Sequence, residues 1–246
     1  MTPEDTRARL LYRDGLMLVI DKPAGVAVHR GPKGGASLED DFDALRFGLP
    51  RKPALAHRLD RETAGCLVLG RDHKALEKLG LLFKQGRIAK TYWAIVAGSP
   101  EAESGEIDLA LGRLDDRRGW WMKADPNGQP ARTLWRVRGR GQWRGAPIAW
   151  LELEPRTGRT HQLRVHCASQ GFPILGDAIY GARGDMPLQL LARKVVVPLS
   201  KTKPPVEVQA PAPPHMLQTL AECGFAGDPP RIEEPEIAAA AVTGEA

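Results

Sequence analysis

A single α+β domain in which strands outnumber helices is the fold this sequence predicts, on three observations. Short apolar, β-branched and aromatic runs bounded by Gly, Pro, Asn or Asp recur from residue 16 to residue 199, the pattern of strands and turns. Four of them, Glu106–Leu111, Trp120–Lys123, Thr133–Arg138 and Ile148–Leu153, follow one another with no helical period between, which suits antiparallel neighbours. Two segments carry helix signals, one opened by Asp72 and closed by Gly86, the other opened by Thr160 and ending near Gly171.

In chain order, Leu16–Ile20 reads as a strand stopped by Asp21-Lys22-Pro23-Ala24-Gly25, where Pro and Gly force a turn. Residues 30–37 resemble a glycine-rich phosphate loop but lack its Gly-Lys-Ser/Thr ending, so a flexible loop is expected. Cys66–Gly70 is a short apolar strand. The helix that follows runs from the N-cap Asp72 to about Gln85, and Ala75, Leu76, Leu79, Leu82 and Phe83 give it a buried face. Thr91–Ala97 is β-branched and aromatic, hence a strand. Asp125-Pro126-Asn127-Gly128 marks a turn, Thr157-Gly158-Arg159 leads into the second helix, and Leu190–Leu199 is another strand. The Pro-, Glu- and Ala-rich stretch beyond Gly224 has no apolar period and is expected to be disordered.

With 246 residues, 42% of them hydrophobic, the chain can bury a sizeable core. Its net charge of +5 is unevenly spread: residues 51–206 hold 27 Lys and Arg against 15 Asp and Glu, whereas residues 207–246 hold 1 against 7. A middle segment of +12 attracts polyanions such as nucleic acid, although a basic surface with no partner has the same composition. Cys66, Cys167 and Cys223 are odd in number and far apart, so neither a disulfide framework nor a zinc site is expected. The longest amino-terminal apolar run, Leu16–Ile20, is too short for a signal peptide or a membrane span, and a cytoplasmic protein is expected.

The chemistry gathers in His57-Arg58-Leu59-Asp60-Arg61-Glu62-Thr63-Ala64-Gly65. One carboxylate, Asp60, stands between two arginines ahead of a Gly that reads as a turn; cationic neighbours favour the ionised form, and turns present catalytic groups. A solvated charged turn has the same residues. Three further segments decide between them: Ala89-Lys90-Thr91-Tyr92-Trp93-Ala94, then Arg156-Thr157-Gly158-Arg159-Thr160-His161-Gln162-Leu163-Arg164, then Gly171-Phe172-Pro173-Ile174-Leu175-Gly176-Asp177 with Tyr180-Gly181. In this order they resemble the RluA-type pseudouridine synthases, whose patterns are H-R-L-D-x-x-T-S-G, K-x-Y-x-A, T-G-R-x-H-Q-L/I-R and G-x-P-I-x-G-D-x-x-Y-G. Gly128-Gln129-Pro130-Ala131-Arg132-Thr133 resembles the family's G-x-x-A-x-T hairpin, and the likeness spans roughly residues 16–200. Ala64 replaces the usual Ser, a turn residue, which bears on turn geometry and not on the reacting group.

The resemblance implies a mixed, mainly antiparallel sheet with flanking helices and a central RNA-binding cleft. It implies an isomerase that cuts the bond between uracil N1 and ribose, turns the base and rejoins it through C5; with no redox change, no cofactor is implied, and none is suggested by a fingerprint. The uridine must be flipped out of its stem. Asp60 matches the catalytic carboxylate, with attack on the sugar, attack on the base and removal of a ribose proton all open. Tyr92 matches the active-site tyrosine, able to stack on uracil and to move a proton. Arg164 matches the arginine that pairs with the aspartate, and Arg58 the residue that enters the stack as the uridine leaves. Arg61, Lys90 and Arg159 are further RNA contacts, Arg159 by way of a helix N-terminus. His161 and Gln162 either touch RNA or hydrogen-bond the loop; the loop role is preferred, with His161 kept among the RNA-facing candidates. His161 and His166, five apart, do not make a metal pair.

Arg136, Arg138 and Arg140 alternate with Val137 and Gly139, so one strand face is expected to carry all three, with Arg144 beyond, as a rim for RNA. Charges that merely keep a strand edge from aggregating fit the same pattern. A hydrolase using Asp60 and Glu62 is the second reading, weakened because residues two apart in a turn hold no designed separation; a catalytically inactive RNA-binding module is the third, disfavoured by the presence of Asp60 and Tyr92. The expected organisation is an amino-terminal extension at 1–15, the catalytic domain at 16–224 without the helical RNA-binding module many members carry in front, and an acidic, Ala-rich tail at 225–246. A monomer acting on a transfer RNA or ribosomal RNA stem-loop is expected.

Overall fold

The computed structural model describes residues 2–31, 34–115, 120–181, 184–200 and 202–228. A short helix α1 (Pro3–Ala8) and strand β1 (Leu10–Arg13) come first. Next come β2 (Met17–Lys22), a 3₁₀ helix (Leu38–Leu45), β3 (Ala54–Leu55), β4 (Ala64–Gly70), α2 (His73–Lys84) and β5 (Ala89–Ala97). Then follow β6 (Ser104–Asp108), β7 (Leu111–Arg113), β8 (Met122–Ala124), β9 (Arg132–Trp143), β10 (Ala146–Pro155) and α3 (Gln162–Ser169). The last elements are β11 (Leu190–Val197), β12 (Val206–Gln209) and α4 (Pro214–Glu222).

Among the described residues, ten strands form one sheet in the order β1-β2-β4-β11-β5-β10-β9-β6, with β12 added to β11 and β3 to β4. Only β4 and β11 run parallel. Every residue of β4 is buried, which accounts for its unbroken apolar run. The fold is therefore α+β with a mixed, mainly antiparallel sheet, as expected.

The two sheet faces are packed differently. On one, a single core joins Val19, Cys66, Val68, Trp93, Ile95 and Trp150 to Leu79 and Leu82 of α2 and to Met216 and Leu220 of α4. On the other lie two cores. One sets Leu18, Ile20, Leu67 and Leu69 against Leu38, Phe42 and Leu45 of the 3₁₀ helix; the other sets Ala94, Val96, Ala149 and Leu151 against Leu163 and Cys167 of α3. Tyr92 packs against both and marks the seam.

Helix α2 follows its sequence signals: the Asp72 side chain accepts from Ala75 N–H at 2.8 Å, and Gly86 turns the chain away at φ +66°. Other expectations need correction. Glu106–Leu111 is two strands, because the chain leaves the main sheet after Asp108 and β7 pairs with β8 in a separate hairpin. The second helix begins at Gln162, and its N-cap is His161 in the left-handed region (φ 53°) instead of Thr160. Gly65 lies inside β4, not in a turn: at φ +107°, a side chain there would meet the Ala192 carbonyl on the parallel neighbour β11. Ala64, in place of the usual Ser, is buried at the start of β4, and the turn before it is closed by Thr63 N–H on the Asp60 carbonyl at 3.1 Å. Phe225 lies edge-on to Trp93 and Trp150; the expected tail beyond Asp228 lies outside the described residues.

The arginines of β9 do not share one face. Val137 pairs with Leu151 and Gly139 with Trp150, leaving Arg138 as the extra residue of a bulge. That slip reverses the alternation. Arg136 then stands opposite Glu152, on the Trp150 side, while Arg140 stands opposite Ala149, on the Leu151 side. Arg138 lies over the Trp150 ring, and Arg140 is tied to Ser99, Pro100 and Ala102 and paired with Glu103 at 2.7 Å.

Candidate active site

At the seam between the two cores opens a cleft of about 690 Å³ lined by Asp60, Tyr92 and Arg164. Arg58, Lys84, Lys90, Arg156 and Arg159 also line it, so among the described residues Asp60 is the one carboxylate beside six cations there. His161 and Gln162 complete the wall nearest Arg164. Arg61, Arg136, Arg138 and Arg140 do not line it.

Asp60 is held on a loop braced from below. Lys22, at the end of β2, is fully buried, and its Nζ donates to the carbonyls of Pro23, Val26 and Arg61 at 2.8, 2.8 and 2.9 Å. Burial pushes its pKa down to about 8, so it stays protonated at neutral pH and ties the Pro23–Val26 turn to the Asp60 loop. The Arg61 guanidinium points away from Asp60, donating to the Gly25 carbonyl at 2.8 Å. His57 accepts the Val68 N–H at 3.0 Å and stacks on Phe83; burial drives its pKa down to about 3, so the ring is neutral.

The groups that face Asp60 come from α3 and its N-cap and not from its neighbours in sequence, which corrects the expectation of a carboxylate held between Arg58 and Arg61. Asp60 Oδ2 lies 3.8 Å from Arg164 Nη1 and 3.8 Å from His161 Nε2. Arg164 is itself buried, and its Nε and Nη2 donate to the two oxygens of Asp177 at 2.7 Å each. This bidentate pair fixes the plane of the guanidinium and leaves Nη1 for Asp60. Burial opposes both charges, but the pair outweighs it: the Asp177 carboxyl is held below its ordinary range and the Arg164 guanidinium above. Asp177 Oδ1 also accepts the Ile179 and Tyr180 N–H groups, at 2.9 and 3.1 Å.

His161 reaches the site because its backbone turns left-handed, a costly conformation for a residue with a side chain. Its Nδ1 lies 2.7 Å from the Tyr180 hydroxyl, which accepts the Met122 N–H at 2.8 Å. Burial lowers the His161 pKa, so a neutral imidazole stands beside the carboxylate. Gln162 is spent on the loop: its Oε1 accepts from Thr157 Oγ1 and Arg159 N–H, and its Nε2 donates to Arg132 O and Thr133 Oγ1. That internal network is the preferred sequence reading for Gln162. Arg159 donates from Nε to the Pro130 carbonyl at 3.1 Å, and Lys90 lies 3.5 Å from the Thr157 carbonyl. The Arg58 side chain is exposed and makes no hydrogen bond or ion pair with any described residue.

On the strand side, burial and the Asp60 charge raise the pKa of the Tyr92 hydroxyl, which keeps its proton. The sequence reading singles out Asp60, Tyr92 and Arg164 but misses the roles of Asp177, Tyr180 and Lys22. The first two are written in Gly176-Asp177 and Tyr180-Gly181, whereas Lys22 reads only as part of a turn. Among the described residues, no group of three or more His, Cys, Asp or Glu could hold a metal ion, and no helix is long and apolar enough to cross a membrane.

A family model described as RNA pseudouridylate synthase matches residues 16–169. An uncharacterised RNA pseudouridine synthase of Zymomonas mobilis is 40% identical over 222 residues, covering 88% of this chain and 97% of that protein. Ribosomal large subunit pseudouridine synthase C of Vibrio cholerae is 34% identical over 87% of this chain and 68% of its own. The solved structure of human RNA pseudouridylate synthase domain containing 1 superposes with a TM-score of 0.70 at 30% identity, covering 82% of each chain. Three other curated relatives are longer, and the chain spans 51% to 61% of their length.

Proposed function

This chain belongs to the RNA pseudouridylate synthase family, and from that premise we propose that the seam cleft takes a uridine flipped out of an RNA stem-loop, with Asp60 as the reacting carboxylate. As an RNA pseudouridine synthase it is an isomerase: the N1–C1′ bond breaks, the uracil turns, a C5–C1′ bond forms, C5 gives up its proton and N1 gains one. One observation carries the assignment. Among the described residues Asp60 is the one carboxylate in a cleft of six cations, and it faces an arginine already fixed by a second carboxylate. Arg164 orients Asp60, His161 offers a neutral imidazole at the same oxygen, and Tyr92 supplies a ring face and a protonated hydroxyl to the base.

The surrounding charge suits a polyanion. Arg58, whose side chain has no partner among the described residues, enters the stack as the uridine leaves, and Lys90 and Arg159 meet the backbone on the far wall, with Arg61 on the same loop as Arg58. Arg136 lines a neighbouring trough that Arg156 shares with the cleft, and so extends the path. Arg138 and Arg140, occupied by Trp150 and by the 99–103 loop, contribute little. The substrate is a transfer RNA or ribosomal RNA stem-loop, and the enzyme works as a cytoplasmic monomer.

Pseudouridines mapped in total RNA from cells with and without the gene should differ at one or a few uridines. Purified protein should restore them with no change in RNA mass. A product that loses a base would return Asp60 to a hydrolase, and identical maps would overturn the reading.

A further inference from the structure

An indole stands exposed beside the site without a role in the reading above. Trp120 is 58% exposed, the largest value among the exposed large apolar side chains described. Its ring lies edge to face with His161, centroids 5.3 Å apart, and His161 Nε2 is 3.8 Å from the Asp60 carboxylate. Trp120 is thus one ring removed from the reacting group. A large apolar side chain left in water costs free energy, and single exposed ones are usually scattered without consequence. This one sits at the rim of a strongly basic cleft, and an aromatic face beside cations is the pairing that holds an unstacked base.

Its position is fixed by packing. The β7–β8 hairpin leaves the main sheet and packs Leu111 and Met122 against Val165 of α3 and Tyr180. Met122 N–H donates to the Tyr180 hydroxyl, which lies 2.7 Å from His161 Nδ1. Hairpin, Tyr180 and His161 therefore form one connected support, with Trp120 just ahead of β8.

We infer that Trp120 is a specificity-determining residue: its indole stacks on a second base of the RNA, a loop neighbour of the flipped uridine, so that the enzyme recognises two unstacked bases in place of one. This rests on the cleft being the uridine site. The competing role is a cover that keeps water from His161.

The test uses an RNA hairpin with an all-uridine loop, and versions lacking one loop base at a time. For the parent, removing the stacked base should weaken binding roughly 5- to 150-fold, the range for one base on one aromatic ring. Trp120→Ala should bind the intact hairpin weaker by a similar factor and should lose its sensitivity to that missing base. Trp120→Phe should retain most of both, whereas in Trp120→Ala KM should rise while kcat holds. If Trp120→Ala binds like the parent, or stays equally sensitive to every missing base, the inference fails. If it alters kcat and its pH profile with affinity unchanged, Trp120 is a cover for His161. These outcomes are separable from the uridine-site reading. A parent that binds the hairpins with the expected base sensitivity but converts no uridine in cellular RNA refutes catalysis and keeps the stack; a parent that binds none of them overturns both.

Discussion

The two faces of the sheet are built from the same strands by alternation, yet one carries a single continuous core and the other carries two separated by a seam. On β5, Trp93 and Ile95 belong to the first face, whereas Tyr92 and Ala94 look to the second. Under α2 and α4 the packing is closed. Between the Asp60 loop and α3 it is not, and there the chain places its buried ion pair and its carboxylate. The difference teaches that a polar cleft can be kept open in a small domain when the reverse face supplies uninterrupted burial. It follows that changes at the seam should cost activity, and changes on the closed face stability.

The sharpest break of that division is Asp60→Asn, which is isosteric and removes only the charge. Activity should fall by about 10³-fold or more, with the melting temperature and RNA binding nearly unchanged. Turnover within tenfold of the parent on a stem-loop substrate would remove Asp60 from the chemistry. Asp177→Asn should cross the division, because it leaves the buried Arg164 without its charged partner. A loss of about 3–5 kcal/mol in urea unfolding is expected, together with reduced turnover, since Asp60 then loses its fixed guanidinium. Unaltered stability would mean that Arg164 finds compensation elsewhere.

Leu79→Ala, on the closed face, should cost about 2–5 kcal/mol and leave kcat at the parent value below the melting transition. A selective fall in kcat would show that the closed face is coupled to the cleft. Tyr92→Phe keeps the ring and removes the hydroxyl, so RNA affinity should hold while kcat falls by about 10- to 100-fold; an unchanged rate would reduce Tyr92 to a stacking surface. The smallest effect concerns acid. His57 has a folded pKa of about 3 against an ordinary 6.5, so below pH 6.5 the unfolded chain gains a proton that the folded one refuses. Stability should therefore decline as pH falls through 6.5 towards 3, and His57→Gln should flatten the part of the urea-midpoint curve that His57 contributes.

Much of this molecule is legible in its sequence, where the information is local or written as a motif. Asp72 and Gly86 bound α2 because capping acts within one turn, and the apolar runs of β4, β5, β10 and β11 declare strands because burial on a sheet selects them. Asp60, Tyr92 and Arg164 are found through ordered motifs. Other elements carry weak local signals: β12 is a short alternation set among prolines, and α4 is a short helix that Pro213 and Pro214 introduce.

What only the tertiary structure decides is which charges meet. Sequence places Arg58 and Arg61 beside Asp60, but adjacent side chains in a turn diverge, and Asp60 faces Arg164 and His161 from a helix about a hundred residues away. Strict alternation puts Arg136, Arg138 and Arg140 on one face, but a single bulge at Arg138 reverses it, and a bulge is set by pairing with β10. Gly65 reads as a turn until its close approach to the Ala192 carbonyl makes it a strand residue. Lys22 looks like an ordinary turn lysine, yet three carbonyls from separate loop positions converge on its amine. In each case residue type fixes what a group can do, and partners brought together by long-range packing fix what it does.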